Sequence, residues 1–135
     1  MREVSDRALL GVIKDFLEMG HVDNIAALFR SESRYFLWTG AVLDDERFNV
    51  RLGVSVLFEE LKTSHGTQLE QAIPSLVPLL TSEKPHIRGE AVSVLGIIAT
   101  PEAKELIRKM RLDSNPQVRE ITEDILQELE TGQNS

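Results

Sequence analysis

The sequence contains no cysteine among its 135 residues. This absence excludes disulfide bonds, thiolate metal ligands and a cysteine nucleophile. It fits a reducing compartment, so we expect a cytoplasmic protein. Aromatic residues make up only 5% of the chain and alternating β-branched residues are scarce. A β-sheet is therefore not expected.

Other absences argue against a membrane protein, a secreted protein and a nucleic-acid-binding protein. No apolar run is long enough to span a bilayer, and residues 1–4 carry no secretory signal pattern, so no membrane association is expected. The formal net charge of −7 argues against binding to nucleic acid, because such binding depends on lysine and arginine. The apolar content of 41% is sufficient for one globular domain, residues 1–135.

No pattern of catalytic or metal-binding residues is present. His21, His65 and His86 are the only histidines, and none lies in an HExxH or paired His-Glu arrangement. The acidic run Asp44-Asp45-Glu46 lacks the spacing and glycine of a calcium loop, and is typical of a capping turn. Phosphate-binding and nucleophile-elbow motifs are also missing. We therefore expect no catalytic residue, no metal and no cofactor, and a protein that is not an enzyme.

The most regular stretch is residues 72–100, where two helical patterns flank a polar turn. The first apolar stripe contains Ile73, Leu76, Val77 and Leu80, and the second contains Ile87, Ala91, Val94, Leu95 and Ile98. Both follow the spacing that places side chains on one helix face. Pro74 and Pro78 predict a kink or a late start in the first helix.

The remaining chain also has helical periodicity. Ser5 or Asp6 is expected to cap the first helix, Gly20 to end it, and Asp23 to cap the second. The predicted helices are residues 4–19, 24–30, 35–43, 48–62, 100–110 and 117–130, with a loop at residues 63–67 and a flexible tail at 131–135. The helix at 100–110 is opened by Thr100-Pro101-Glu102.

An internal repeat is visible where an apolar residue is followed directly by arginine at a helix start. Arg51, Arg88 and Arg119 are separated by 37 and then 31 residues. Repeats of this length are typical of helical solenoids, in which each unit packs mainly on its neighbours.

Part of one helix start recurs later in the chain: Pro85-His86-Ile87-Arg88-Gly89-Glu90-Ala91 is matched at Pro116, Val118 and Arg119. These segments resemble bacterial-type HEAT repeats, and the resemblance extends over about residues 45–130. The resemblance implies an all-α fold, a right-handed α-solenoid of HEAT-like helix pairs. Residues 44–130 would form the repeats, and residues 1–43 an N-terminal helical cap. It also implies a structural ladder, in which each arginine binds a turn carboxylate of its own or an adjacent repeat: Arg51, Arg88 and Arg119 with Asp45 and Asp113.

In this family the second helices line the concave surface. Their outward offsets here change from apolar through small to polar or acidic. We predict a groove for a partner helix or peptide. The predicted groove residues are Leu52, Val56 and Glu59, then Gly89, Ser93 and Gly96, then Glu120, Asp124 and Gln127. Two alternatives remain for this surface. The N-terminal helix of the chain itself could fill the groove, or the glycines could serve only to pack helices together.

The leading hypothesis is thus a non-enzymatic scaffold or adaptor that binds another protein. One alternative is an enzyme or accessory subunit that binds a small ligand, cofactor or nucleic acid near Tyr35, Phe36 and Trp38, since HEAT-like glycosylases and bilin lyases exist. Another is a homodimer formed through Leu52, Val56 and the Gly89 stripe. The aromatic run also fits ordinary core packing.

Overall fold

Every regular element is helical in the computed structural model, which describes residues 5–132 apart from the side chains of residues 64–67. The α-helices are α1 (Asp6–Glu18), α2 (Val22–Ser31), α3 (Thr39–Leu43), α4 (Phe48–His65), α5 (Ile73–Leu76), α6 (Pro85–Ile98), α7 (Pro101–Lys109) and α8 (Pro116–Glu130). The 3-10 helices are Ser33–Trp38, Gly66–Ala72, Val77–Thr81 and Met110–Leu112.

These helices form an all-α solenoid with two layers. The longer helices α1, α4, α6 and α8 make one row, in which each helix packs on the next. The shorter segments, α2 with α3, the stretch 66–81, and α7, make the other layer. The core lies between the layers. It contains the whole predicted stripe of α6, whose members are no more than 6% exposed: Ile87, Ala91, Val94, Leu95 and Ile98.

Polar side chains mark several helix starts. The Ser5 hydroxyl accepts the Ala8 N–H at 3.1 Å, and Thr100 accepts the Ala103 N–H at 3.2 Å. At the other end of α1, Gly20 has a φ of +87°, the left-handed conformation expected of a residue that ends a helix. The caps of α1 were correctly predicted, because capping depends on local sequence alone.

Two predicted boundaries in the first third are wrong. Helix α2 begins at Val22, with Asp23 inside its first turn, because Val22 is drawn into the core and is 9% exposed. The predicted helix at residues 35–43 is split into the 3-10 helix Ser33–Trp38 and α3. The Thr39 hydroxyl donates to the Phe36 carbonyl at 2.8 Å at this junction.

The predicted loop at residues 63–67 is also wrong. Helix α4 continues to His65, and the 3-10 helix Gly66–Ala72 follows directly. The next predicted helix is divided into two short pieces, α5 and the 3-10 helix Val77–Thr81, with Pro74 in the first turn of α5 and Pro78 in the first turn of the 3-10 helix. The tighter 3-10 winding turns Leu79 inward and leaves Val77 41% exposed, so Val77 is not a core residue.

Within the layer of shorter segments, α3 and α5 make a tight contact. The Gly40 N–H donates to the Ser75 hydroxyl at 2.9 Å. A Cβ at residue 40 would lie 1.9 Å from the Ser75 carbonyl oxygen. Only glycine permits this approach, which holds the segments of two consecutive units together.

Candidate functional site

Each second helix begins with the same hydrogen bond. The arginine in its first turn donates from Nη1 to the backbone carbonyl six residues earlier, at 2.7–2.8 Å. The donor and acceptor pairs are Arg51 with Asp45, Arg88 with Ser82, and Arg119 with Asp113. The repeated arginines therefore fix the turn that leads into α4, α6 and α8.

The acceptor residues use their side chains as well. The Asp45 carboxylate accepts the Arg47 N–H at 2.8 Å, and the Asp113 carboxylate accepts the Asn115 N–H at 2.9 Å. Ser82 accepts the Lys84 N–H through its hydroxyl at 3.1 Å. Such Asx and serine turns hold the chain ready for a helix start. The three turns are thus physically equivalent although one lacks a carboxylate.

Adjacent units are linked by an ion pair between α6 and the turn before α8. Arg88 binds Asp113 with Nε to Oδ1 at 2.8 Å and Nη2 to Oδ2 at 2.9 Å. Both side chains are nearly buried, at 12% and 8% exposed. The hydrogen bond from Arg88 holds the pKa of Asp113 below its ordinary value. The pair therefore joins one repeat to the next.

The link from Arg51 differs from that expectation. Arg51 contacts the carboxylate of Glu90 at 3.3 Å, and not the carboxylate of Asp45. Because Ser82 stands where the next turn would carry aspartate, a glutamate on α6 supplies the negative charge. The Asp45 carboxylate binds Arg47 at 3.0 Å and Lys14 at 3.2 Å. The hydrogen bond from Arg47 lowers the pKa of Asp45 strongly.

Lys14 extends the ladder into α1, which sequence reasoning missed. It follows the buried Ile13 and lies 37 residues before Arg51, the same spacing that separates Arg51 from Arg88. Its bond to Asp45 corresponds to that of Arg88 to Asp113. The pair Ile13-Lys14, an apolar residue followed by a basic one at the repeat spacing, could have identified this contact from the sequence. Helix α1 packs beside α4, where a Cβ on Gly53 would lie 2.9 Å from the Leu17 Cβ, and so does not fill the groove.

The predicted apolar residues on the outer face of α4 are exposed to solvent. Leu52 is 47% exposed and Val56 is 46% exposed. Phe48, one turn earlier, is 59% exposed and was not predicted to belong to this face. Residues spaced by four lie on one side of a helix, so the three side chains form a continuous stripe.

The small residues of α6 are placed differently from the prediction. A Cβ at Gly89 would lie 3.1 Å from Ile121 Cδ1, and one at Gly96 would lie 2.8 Å from Ile125 Cγ2. These glycines therefore allow α8 to pack closely on α6, as one of the alternatives stated. Ser93, between them, is half-buried and borders two surface depressions.

The larger depression has a volume of about 720 Å³ and lies across α4, α6 and α8. Glu59 and Glu128 line it from opposite sides. Lys62 also lines it and donates through Nζ to the Ile97 carbonyl at 2.6 Å. Arg51 reaches Glu90 near the start of α6, and Lys62 reaches Ile97 near its end, so α4 and α6 run in the same direction.

The predicted positions on α8 are exposed. Glu120, Asp124 and Gln127 point away from the core, and neither of the two carboxylates makes an ion pair with another of the described side chains. Glu128, which sequence reasoning did not select, continues their line. The nine predicted groove residues therefore span three adjacent helices, with Gly89 buried beneath α8.

The aromatic run is packed against itself. Tyr35 and Phe36 are buried, and the Trp38 ring meets the Tyr35 ring edge-on at 4.9 Å. The Arg34 guanidinium lies 4.5 Å from the Tyr35 ring and 5.5 Å from the Trp38 ring. A ligand that stacked on Tyr35 would have to displace this guanidinium.

The other candidates for chemistry have structural contacts. His21 precedes α2, and its ring contacts Phe16 at 5.8 Å, while His86 lies in the first turn of α6. The side chain of His65 is outside the described residues. Glu46 of the acidic run pairs with Lys84. In the described part of the chain, no group of three histidine or acidic side chains is placed to hold a metal ion.

The chain is therefore a solenoid of repeated helix pairs, which lie in two layers and are joined by turns that arginine side chains hold in place. A family model described as HEAT repeats matches residues 38–127, two thirds of the chain, so the chain belongs to the HEAT-repeat family. The match begins within the predicted cap, before residue 45. No curated protein and no solved structure matches the chain. Within residues 5–132, no helix combines the length and apolar character that crossing a membrane requires.

Proposed function

We propose that this protein is a non-enzymatic scaffold or adaptor that binds another protein across the outer faces of α4, α6 and α8. The observation that carries the proposal is the exposed stripe of Phe48, Leu52 and Val56 on α4, the helix that also lines the 720 Å³ depression through Ser55 and Glu59. Contiguous apolar side chains on a soluble surface are characteristic of contact sites. Membership in the HEAT-repeat family supports the same class of function, because these solenoids are commonly interaction scaffolds.

The shape of the surface suits a helix or an extended peptide. A groove that crosses several parallel helices offers alternating ridges and hollows to a narrow ligand. Ser93 lies at its centre and is half-buried, so a group attached there would reach a bound partner without disturbing the core.

Site-specific photo-crosslinking in living cells tests the proposal. A benzophenone amino acid is placed at Ser93, and in a control at Glu102, an exposed residue in the first turn of α7. We expect one dominant protein adduct from residue 93 that is absent from residue 102 and is lost on Val56→Arg. Equal adducts from both positions, or none from residue 93, would reject this surface.

A homodimer through the same face is the competing outcome. The crosslink would then join two copies of this chain, and light scattering of the purified protein would show a dimer. Gly89, one of the residues predicted for such contact, is buried against Ile121.

A further inference from the structure

The face across α4, α6 and α8 has opposite chemistry at its two edges. We propose that its ligand is a segment of another protein that has one apolar end and one basic end. The apolar side chains would lie over α4 and the lysine or arginine side chains over α8. This inference rests on the proposed function and specifies the chemistry and direction of the partner.

The α4 edge supplies the apolar contact. Phe48, Leu52 and Val56 are each between 46% and 59% exposed, whereas Val50, Val54 and Phe58 on the opposite side are at most 1% exposed. Burying the exposed parts of three such side chains is a substantial driving force for association. The Arg51 guanidinium lies 5.7 Å from the Phe48 ring and limits where that ring can move.

The α8 edge supplies negative charge that the chain leaves uncompensated. Glu120, Asp124 and Glu128 are spaced by four, are exposed, and form no ion pair with another described residue. On another side of the same helix, Glu123 pairs with Arg111 and Glu130 with Arg108. Like charges at this spacing repel and destabilise a helix. A cationic ligand would relieve that repulsion.

The depression between the edges also favours cations. Helices α4 and α6 run in the same direction, so their negative carbonyl ends lie at the same side of the face. The Lys62 ammonium already donates to the Ile97 carbonyl near the end of α6. Glu59 borders the same space and has no ion pair with a side chain that the structure describes. The chain's own lysine thus shows the type of contact that a ligand would make.

Dimensions set the length of the segment. Packed helices lie about 8–10 Å apart, so the distance from α4 to α8 is roughly 20 Å. At 1.5 Å per residue, a helical segment of about 13 residues spans this face. A second copy of the chain fits poorly, because two acidic stripes and a net charge of −7 on each copy would repel.

The test uses three synthetic 14-residue helical peptides and the full-length protein. One peptide has leucines at one end and lysines at the other, the second replaces its lysines with glutamates, and the third replaces its leucines with serines. Fluorescence anisotropy measures binding, and amide chemical shifts locate it. We expect only the first peptide to bind tightly, with shifts at Val56 and Asp124, and weaker binding at high salt.

Matched protein variants test the charge. Glu120→Gln, Asp124→Asn and Glu128→Gln together remove the α8 stripe, and the control removes three exposed carboxylates elsewhere with Glu70→Gln, Glu83→Gln and Glu102→Gln. We expect roughly tenfold weaker binding from the first triple and little change from the control. Both triples change the net charge equally, so a general effect of charge would weaken binding to the same extent in each.

The outcomes separate this inference from the proposed function. Equal binding of the glutamate peptide, equal loss in both triples, absence of binding at millimolar peptide, or a dimer held by this face would overturn the inference. A natural partner crosslinked at residue 93 through an acidic or uncharged segment would uphold the proposed function and reject only the basic chemistry. Absence of any adduct from residue 93 in the protein without the Val56→Arg change would reject both.

Discussion

Arg88 and Asp113 form a two-point ion pair between residues 25 positions apart in the sequence, and this pair joins α6 to the turn before α8. Both partners also hold backbone groups, since Arg88 binds the Ser82 carbonyl and Asp113 binds the Asn115 N–H. The pair therefore couples two helix starts as well as two repeats.

Loss of the forked geometry should destabilise the protein. Arg88→Lys keeps the charge but cannot make two parallel bonds to Asp113 and a third to Ser82. We expect a loss of about 1–3 kcal/mol in the free energy of unfolding, measured by urea denaturation. Arg108→Lys at an exposed ion pair is the control and should change stability by less than about 0.5 kcal/mol. Equal effects would mean that burial of the pair is unimportant.

The same pair should make stability depend on acid. The pKa of Asp113 lies below its usual 3.8, chiefly because Arg88 hydrogen-bonds the charged form. Its stabilising contribution is therefore complete above about pH 4 and decreases as pH falls through the lowered pKa of the folded state. The difference in unfolding free energy between the wild type and Asp113→Asn should be largest at neutral pH and shrink below about pH 4. A difference that stays constant down to pH 2.5 would contradict this assignment.

Gly40 should not tolerate a side chain. A methyl group there would lie 1.9 Å from the Ser75 carbonyl oxygen, so α3 and α5 must separate. We expect Gly40→Ala to cost more than about 2 kcal/mol, seen as a lower thermal midpoint by circular dichroism. Gly11→Ala is the matched control in α1, where nothing lies within 4 Å, and should stabilise by about 0.5–1 kcal/mol. Equal changes in thermal midpoint for the two variants would show that α3 and α5 are not in tight contact at Gly40.

Ala99 should be improved by glycine. It follows α6 with a φ of 58°, and its N–H donates to the Leu95 carbonyl. A Cβ is strained in this left-handed conformation, so Ala99→Gly should stabilise by up to about 1 kcal/mol. Ala8→Gly, in the first turn of α1, should instead destabilise by about 0.5 kcal/mol or more. Chemical denaturation of both variants gives the comparison, and destabilisation by Ala99→Gly would show that the residue is not strained.

Much of the fold was predictable because it depends on neighbours in the chain. The apolar spacing of α6 identified its buried side, and Ser5, Gly20 and Thr100 marked boundaries that local capping decides. Periodicity failed at residues 63–81, where 3-10 winding rotates the buried side and exposes Val77. The candidate site was predictable only in part, since Phe48 and Glu128 were missed.

The sequence alone determined the helical periodicity, the caps and the repeated arginine, because these depend on residues within two turns of each other. Only the tertiary structure decided which carboxylate each cation binds, as with Arg51 and Glu90 or Lys14 and Asp45. It also decided that Gly89 and Gly96 receive α8, while Leu52 and Val56 stay exposed. These outcomes depend on how closely neighbouring helices approach, and that distance is set by packing between residues distant in sequence.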